Sequence, residues 1–205
     1  MINHKHKFIF IEVHKTGSST TQAVLQNVLN ESNRTKHVPL DYYLNKFPTK
    51  FNNYFKFMFV RNPWSRVISL YKREVRRKSY SGDLESFINK IEFATSFCEV
   101  IGEQTLDLPR SKLEKLNQID YGKINGSDKI HMDFIGRIEN LENDLRFIFK
   151  KINLDWSENI WAKYKNSNRG SYKKHYTEYY NNKTKKIIGE KFAEDIEYFG
   201  YKFEA

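Results

Sequence analysis

Residues 8–20 read FIFIEVHKTGSST, and residues 57–71 read FMFVRNPWSRVISLY. Each begins as a short continuous apolar run, the pattern of a strand buried on both faces. Each then stops at polar residues before apolar positions resume at helical spacing. The first junction is Lys15-Thr16-Gly17-Ser18-Ser19-Thr20 and the second is Arg61-Asn62-Pro63. A strand end feeding a helix start aims backbone N–H groups at one spot under the positive end of the helix dipole, and such a spot binds anions. Two junctions, each with a fixed cation, predict a ligand that carries two separate phosphate-like groups.

Outward from these stretches the alternation continues. Residues 8–13 and 55–60 predict buried parallel strands. Residues 19–30 predict a helix with Ala23, Val24, Val28 and Leu29 on its inner side. A short helical piece is expected over residues 41–44, capped by Asp41. Asn62 as cap and Pro63 at the first helical position start a helix that runs to about Arg77. A third helix is expected over residues 83–99, with Phe87, Ile91 and Phe97 near one face. Residues 107–110 and 125–127 read as turns, and residues 132–138 as a strand leading into a helix over 139–151. Residues 166–174 read as a basic loop, and residues 184–199 as one closing amphipathic helix. Strands alternating with helices predict an α/β fold, a central parallel β-sheet flanked by helices, with ligands at the carboxyl ends of the strands.

A length of 205 residues fits one domain, 1–205, with a real core. A hydrophobic content of 39% and an aromatic content of 16% exclude a disordered chain despite a mean hydropathy of −0.74. Lys and Arg number 35 against 25 Asp and Glu, a formal charge of +10 that calls for an anionic partner. The lone cysteine, Cys98, has no intrachain partner and reads as a small buried hydrophobe in a reducing compartment. Apolar runs fall far short of the roughly 18 residues a membrane span requires, and Glu12 interrupts the first of them. No signal peptide or span is expected, and the location read from this is cytoplasmic.

A nucleoside triphosphatase loop needs G-x-x-x-x-G-K-[ST]. Here Lys15 precedes the glycine, and Arg61 stands where such an enzyme commonly offers an Asp for Mg²⁺. The chain instead resembles the sulfotransferases that use 3′-phosphoadenosine 5′-phosphosulfate (PAPS), in particular their carbohydrate sulfotransferase branch. HKTGSST (residues 14–20) resembles their 5′-phosphosulfate loop, PKTGSTS, with His14 in place of the usual proline. FVRNPWSRVISLY (residues 59–71) matches their 3′-phosphate motif, FVRNPxxRxxSxY. DFIGRIENLENDL (residues 133–145) and FAEDIEYFGYKF (residues 192–203) resemble two later blocks in the same order.

The resemblance implies a P-loop-like nucleotide-binding architecture, PAPS as donor, 3′-phosphoadenosine 5′-phosphate (PAP) as product and no metal. The acceptor it implies is a hydroxyl on a carbohydrate. The backbone amides of Thr16, Gly17, Ser18, Ser19 and Thr20 would then hold the 5′-phosphate, with the Ser18, Ser19 and Thr20 hydroxyls as added donors. Lys15 would neutralise the leaving group. Arg61 offers a planar fork to the 3′-phosphate, and Ser69, on the next helix, leans back towards it. Arg169 and Ser171 resemble part of a loop folded over the nucleotide.

Sulfuryl transfer needs a base for the acceptor's proton. His37 resembles the family's base-bearing segment, with His14 in reserve. His4 and His6 read as inert in a fraying terminus, and His131 and His175 as structural or solvent-facing. Lys72, Arg73, Arg76, Arg77 and Lys78 form a basic run that reads as a solvated helix face or a seat for an acidic glycan. A pI near 9.4 and abundant aromatics also keep open a nucleic-acid-binding module, as does a non-catalytic nucleotide-binding relative of the family. Oligomeric state and acceptor identity have no signal in the sequence.

Overall fold

The structure, a computed structural model, describes residues 1–32, 37–90, 117–165 and 174–204. The chain divides into two compact units, Met1–Val60 with Asp120–Arg169, and Arg61–Ile119 with Gly170–Ala205.

The first unit is built on a sheet whose strands lie in the order β1 (Ile2–Asn3), β2 (Phe8–Ile11), β3 (Phe55–Val60) and β4 (Phe134–Arg137). β2–β3 and β3–β4 are parallel, with Phe10 opposite Phe57 and Val60 opposite Arg137. β1 adds an antiparallel edge that the sequence reading did not anticipate, a two-residue pairing too short to show a period. All four side chains of β2 are fully buried, as a sheet covered on both faces requires.

Phe8, Phe10, Phe57 and Phe59 form the centre of this core with Leu145, Ile148 and Phe149, and the Phe10 and Phe57 rings stack 5.0 Å apart. Gly136 on β4 lies under the Phe59 ring, where a Cβ would run into the ring carbons, so a glycine is required. Lys56 is the charged exception inside β3. Its ammonium reaches Asp133 at 2.9 Å and the Tyr54 carbonyl at 2.8 Å, which offsets its burial.

Helices α1 (Ser18–Leu29), α2 (Leu40–Lys46), α3 (Pro48–Phe51), α6 (Leu141–Lys151) and α7 (Glu158–Tyr164) belong to the same unit. The inner face of α1 is more polar than expected, with Thr20, Thr21 and Gln22 buried beside Val24 and Leu25. Asp41 is not a cap. α2 starts one residue earlier, after Pro39, and the Asp41 carboxylate instead takes the Asn125 backbone N–H and side-chain amide, the latter at 2.7 Å. The expected turn at residues 125–127 is present, with Gly126 at φ 80 and the Ser127 N–H bonded to the Ile124 carbonyl.

The second unit holds α4 (Pro63–Arg76), α5 (Leu84–Lys90), α8 (Asn182–Lys191) and α9 (Ala193–Phe199). Trp64, Val67, Ile68, Leu84, Phe87, Ile88, Ile188 and Phe192 make its core. The single closing helix expected over residues 184–199 is in fact two. The chain leaves helical geometry at Phe192 (φ −115, ψ 30), whose side chain is buried, and α9 sets off anew. Apolar spacing runs straight through this break, so it left no mark on the periodicity. Ile91, Phe97, Cys98 and the expected turn at residues 107–110 lie outside the described residues.

Candidate active site

β2 and β3 are neighbours and parallel, so the residues that follow each leave the sheet at the same end. After β2 the backbone turns through two left-handed residues, Lys15 at φ 67 and Gly17 at φ 84. Gly17 is the N-cap of α1 and supplies no side chain to the first turn, and that turn carries no acidic residue. The first intrahelical bond runs from the Thr21 N–H to the Gly17 carbonyl at 3.0 Å, so the amides of Ser18, Ser19 and Thr20 precede the ladder. The Thr16 hydroxyl donates to the Val13 carbonyl at 3.0 Å, which ties the loop down from inside. Lys15 and Gly17 are half-buried, Ser19 is exposed, and Thr16, Ser18 and Thr20 are buried. A helix start of this geometry is chemically suited to an anion.

The second junction is built differently. Here the N-cap is Asn62, and its side-chain oxygen accepts from the Trp64 and Ser65 N–H groups at 3.1 and 3.3 Å. The first turn of α4 is thus engaged by its own cap. The Arg61 Nε donates to Ser65 Oγ at 2.9 Å, which sets the plane of the guanidinium. Ser69 lies further along α4 and is buried. The Tyr180 hydroxyl donates to the Trp64 carbonyl at 2.8 Å. Burial, with Tyr176 nearby, holds that phenol well above its usual range against the pull of Arg61.

The histidines rearrange the expectations most. His14, where the family usually has proline, is buried, its Nδ1 lies 2.8 Å from the Tyr121 hydroxyl, and its ring stacks on His37 with centroids 3.5 Å apart. His37 Nδ1 lies 2.9 Å from the Glu12 carbonyl oxygen. A carbonyl can only accept, so Nδ1 carries the hydrogen and the lone pair of the neutral ring sits on Nε2. His37 is therefore brought to the residues that lead into the Lys15 loop, with its tautomer fixed.

His4 and His6 are tethered rather than fraying, through the Tyr54 hydroxyl at 2.8 Å and the Ile152 carbonyl at 3.0 Å. His131 pairs with Ser127 and His175 with Thr177, both local contacts. Arg169 and Ser171 lie outside the described residues. Sequence reasoning missed Ser65, Tyr121 and the Gln118–Asp195 pair. Only Ser65, one helical turn after Arg61, left a readable spacing.

The sequence model of the sulfotransferase family matches residues 1–202, and the chain belongs to that family. Carbohydrate sulfotransferase 14 of Danio rerio is 26% identical over 182 residues, covering 74% of this chain and 47% of that protein. The chain thus spans about half the length of that relative. An uncharacterized protein of Archaeoglobus fulgidus is 32% identical over 104 residues, covering 51% of this chain and 72% of that protein. No solved structure gives a significant match. Among the described residues no helix is long and apolar enough to cross a membrane.

Proposed function

We propose that this protein is a sulfotransferase that moves a sulfuryl group from PAPS to a hydroxyl on a carbohydrate. The observation that carries the reading is the start of α1, where two left-handed residues, the second of them the glycine cap, present first-turn amides beside Lys15. The residues present fit the donor's 5′-phosphate, since no side chain caps that turn and the turn itself contains no acidic residue. Bound PAPS supplies an activated sulfuryl group whose departure leaves PAP.

In this reading Thr16, Gly17, Ser18, Ser19 and Thr20 receive the 5′-phosphate. The Lys15 ammonium neutralises the charge that develops on the leaving oxygen. Arg61 and Ser69 receive the 3′-phosphate, and the family resemblance adds Arg169 and Ser171 as further nucleotide ligands. The His37 Nε2 lone pair accepts the proton of the attacking hydroxyl. The name of the Danio rerio relative supports the carbohydrate acceptor.

A screen of sugar acceptors with sulfate-labelled PAPS tests the reading. Label should pass to a sugar hydroxyl and disappear from the product in Lys15→Ala. Label passing only to non-sugar alcohols would overturn the carbohydrate acceptor. PAP binding without transfer to any hydroxyl would leave a nucleotide-binding protein with no transferase activity.

A further inference from the structure

The end of β3 is held by a side chain far away in the sequence. The Arg61 N–H donates to Gln118 Oε1 at 2.8 Å, and Gln118 Nε2 donates back to the Arg61 carbonyl at 2.8 Å. The primary amide thus pairs with the Arg61 peptide as a neighbouring strand would, at the point where pairing with β4 stops. Gln118 is itself fixed by Asp195 on α9. Asp195 Oδ2 accepts from the Gln118 N–H at 2.8 Å and from its Nε2 at 3.2 Å, while Oδ1 accepts from the Ile119 N–H at 3.0 Å. Gln118 and Asp195 are both fully buried.

Next along the chain, Asn62 Nδ2 donates to the Lys202 carbonyl at 2.8 Å. Consecutive residues of the second junction are therefore clamped by the C-terminal part of the chain, one through Gln118 and Asp195, the other directly. Burying a carboxylate and an amide merely to fill space is costly, since an apolar pair of the same volume does so without desolvating polar groups. What this network supplies and an apolar one cannot is a fixed direction for the Arg61 peptide.

We propose that Gln118 and Asp195 are positioning residues for Arg61, setting the aim of its guanidinium and with it the recognition of the 3′-phosphate. The inference rests on the reading of Arg61 as the 3′-phosphate ligand. Arg61 leaves the sheet with its peptide held on both sides and its Nε held by Ser65, so its two soft backbone angles and the root of its side chain are set before a ligand arrives. Preorganisation of this kind appears as affinity for the group contacted and leaves distant contacts of the same ligand unaffected.

The test is the ratio of affinities for PAP and for adenosine 5′-phosphate, which lacks the 3′-phosphate, measured by calorimetry on the full chain. Gln118→Leu keeps the volume and removes both bonds to Arg61. It should lower the ratio about five- to twentyfold while affinity for adenosine 5′-phosphate is kept. In an Arg61→Ala background the same substitution should lower the ratio no further, because the two act through one contact. Asp195→Asn, which leaves Gln118 in place but loosens it, should fall between wild type and Gln118→Leu, and it carries the test if Gln118→Leu does not fold.

Equal losses for both nucleotides, or an additive effect on the ratio in the Arg61→Ala background, would mean that the pair only supports the fold. If Arg61→Ala itself leaves the ratio unchanged, it is the reading of Arg61 that fails. If Arg61→Ala collapses the ratio and both network variants retain it, the positioning role alone is overturned.

Discussion

The Glu12 carbonyl fixes the hydrogen of His37 on Nδ1, so in the proposed reaction its Nε2 takes the acceptor's proton, a role that substitution tests. His37→Ala should lower turnover by about 10²–10⁴-fold while PAP affinity stays near wild type. His14→Ala is the contrast. It removes a buried hydrogen bond to Tyr121 and should cost about 1–3 kcal/mol of stability, seen as a lower denaturant midpoint. Abolished turnover in a folded, PAP-binding His14→Ala, with His37→Ala still active, would exchange the two roles. Lys15→Ala should reduce turnover more than it reduces PAP affinity, because the charge it meets develops in the transition state. Proportional losses would make Lys15 a phosphate ligand only.

At the scale of elements the two helix starts are opposites, and that difference predicts two phenotypes. Gly17 sits at φ 84, and a Cβ there would meet Ile138 at 3.3 Å and Leu141 at 3.4 Å. Gly17→Ala should therefore cost about 1–3 kcal/mol of stability and also weaken PAP binding, since the strained residue is the one that opens the first turn. Asn62→Ala removes a cap and should cost about 0.5–2 kcal/mol in a thermal or denaturant melt. Any loss of PAP affinity there should follow from disturbance of Arg61. The strands and the Asn62-Pro63 start were legible because a continuous apolar run and a proline after a capping residue are local signals. The antiparallel β1 was not, because two residues are too few to show a period, and the break at Phe192 and the burial of His14 were not, because each is decided by partners distant in sequence. Gln118 illustrates the limit: nothing in the residues around it marks a side chain that completes a strand end.

Across the whole molecule, Asp195 ties the closing helix α9 to the second junction, and its charge state gives a pH signature. Burial pushes its carboxyl above the usual aspartate value of 3.8, against the pull of Arg66 and of the N–H donors it accepts from. The folded state then holds the proton more tightly than the unfolded state. Its contribution to stability declines as pH rises from the unfolded value through the folded one, and is flat above. In unfolding melts, Asp195→Asn should gain on wild type across that window and hold its position beyond it. A difference independent of pH would mean that the carboxyl titrates alike folded and unfolded. In the proposed function this basic chain recognises a nucleotide that carries two phosphate groups. Calorimetric titration of PAP in competition with RNA measures this recognition most directly. Saturable PAP binding that RNA does not displace, weakened by roughly 1.5–3 kcal/mol in a folded Arg61→Ala, is the result expected. An absence of PAP binding, or affinity unchanged in that variant, would contradict it.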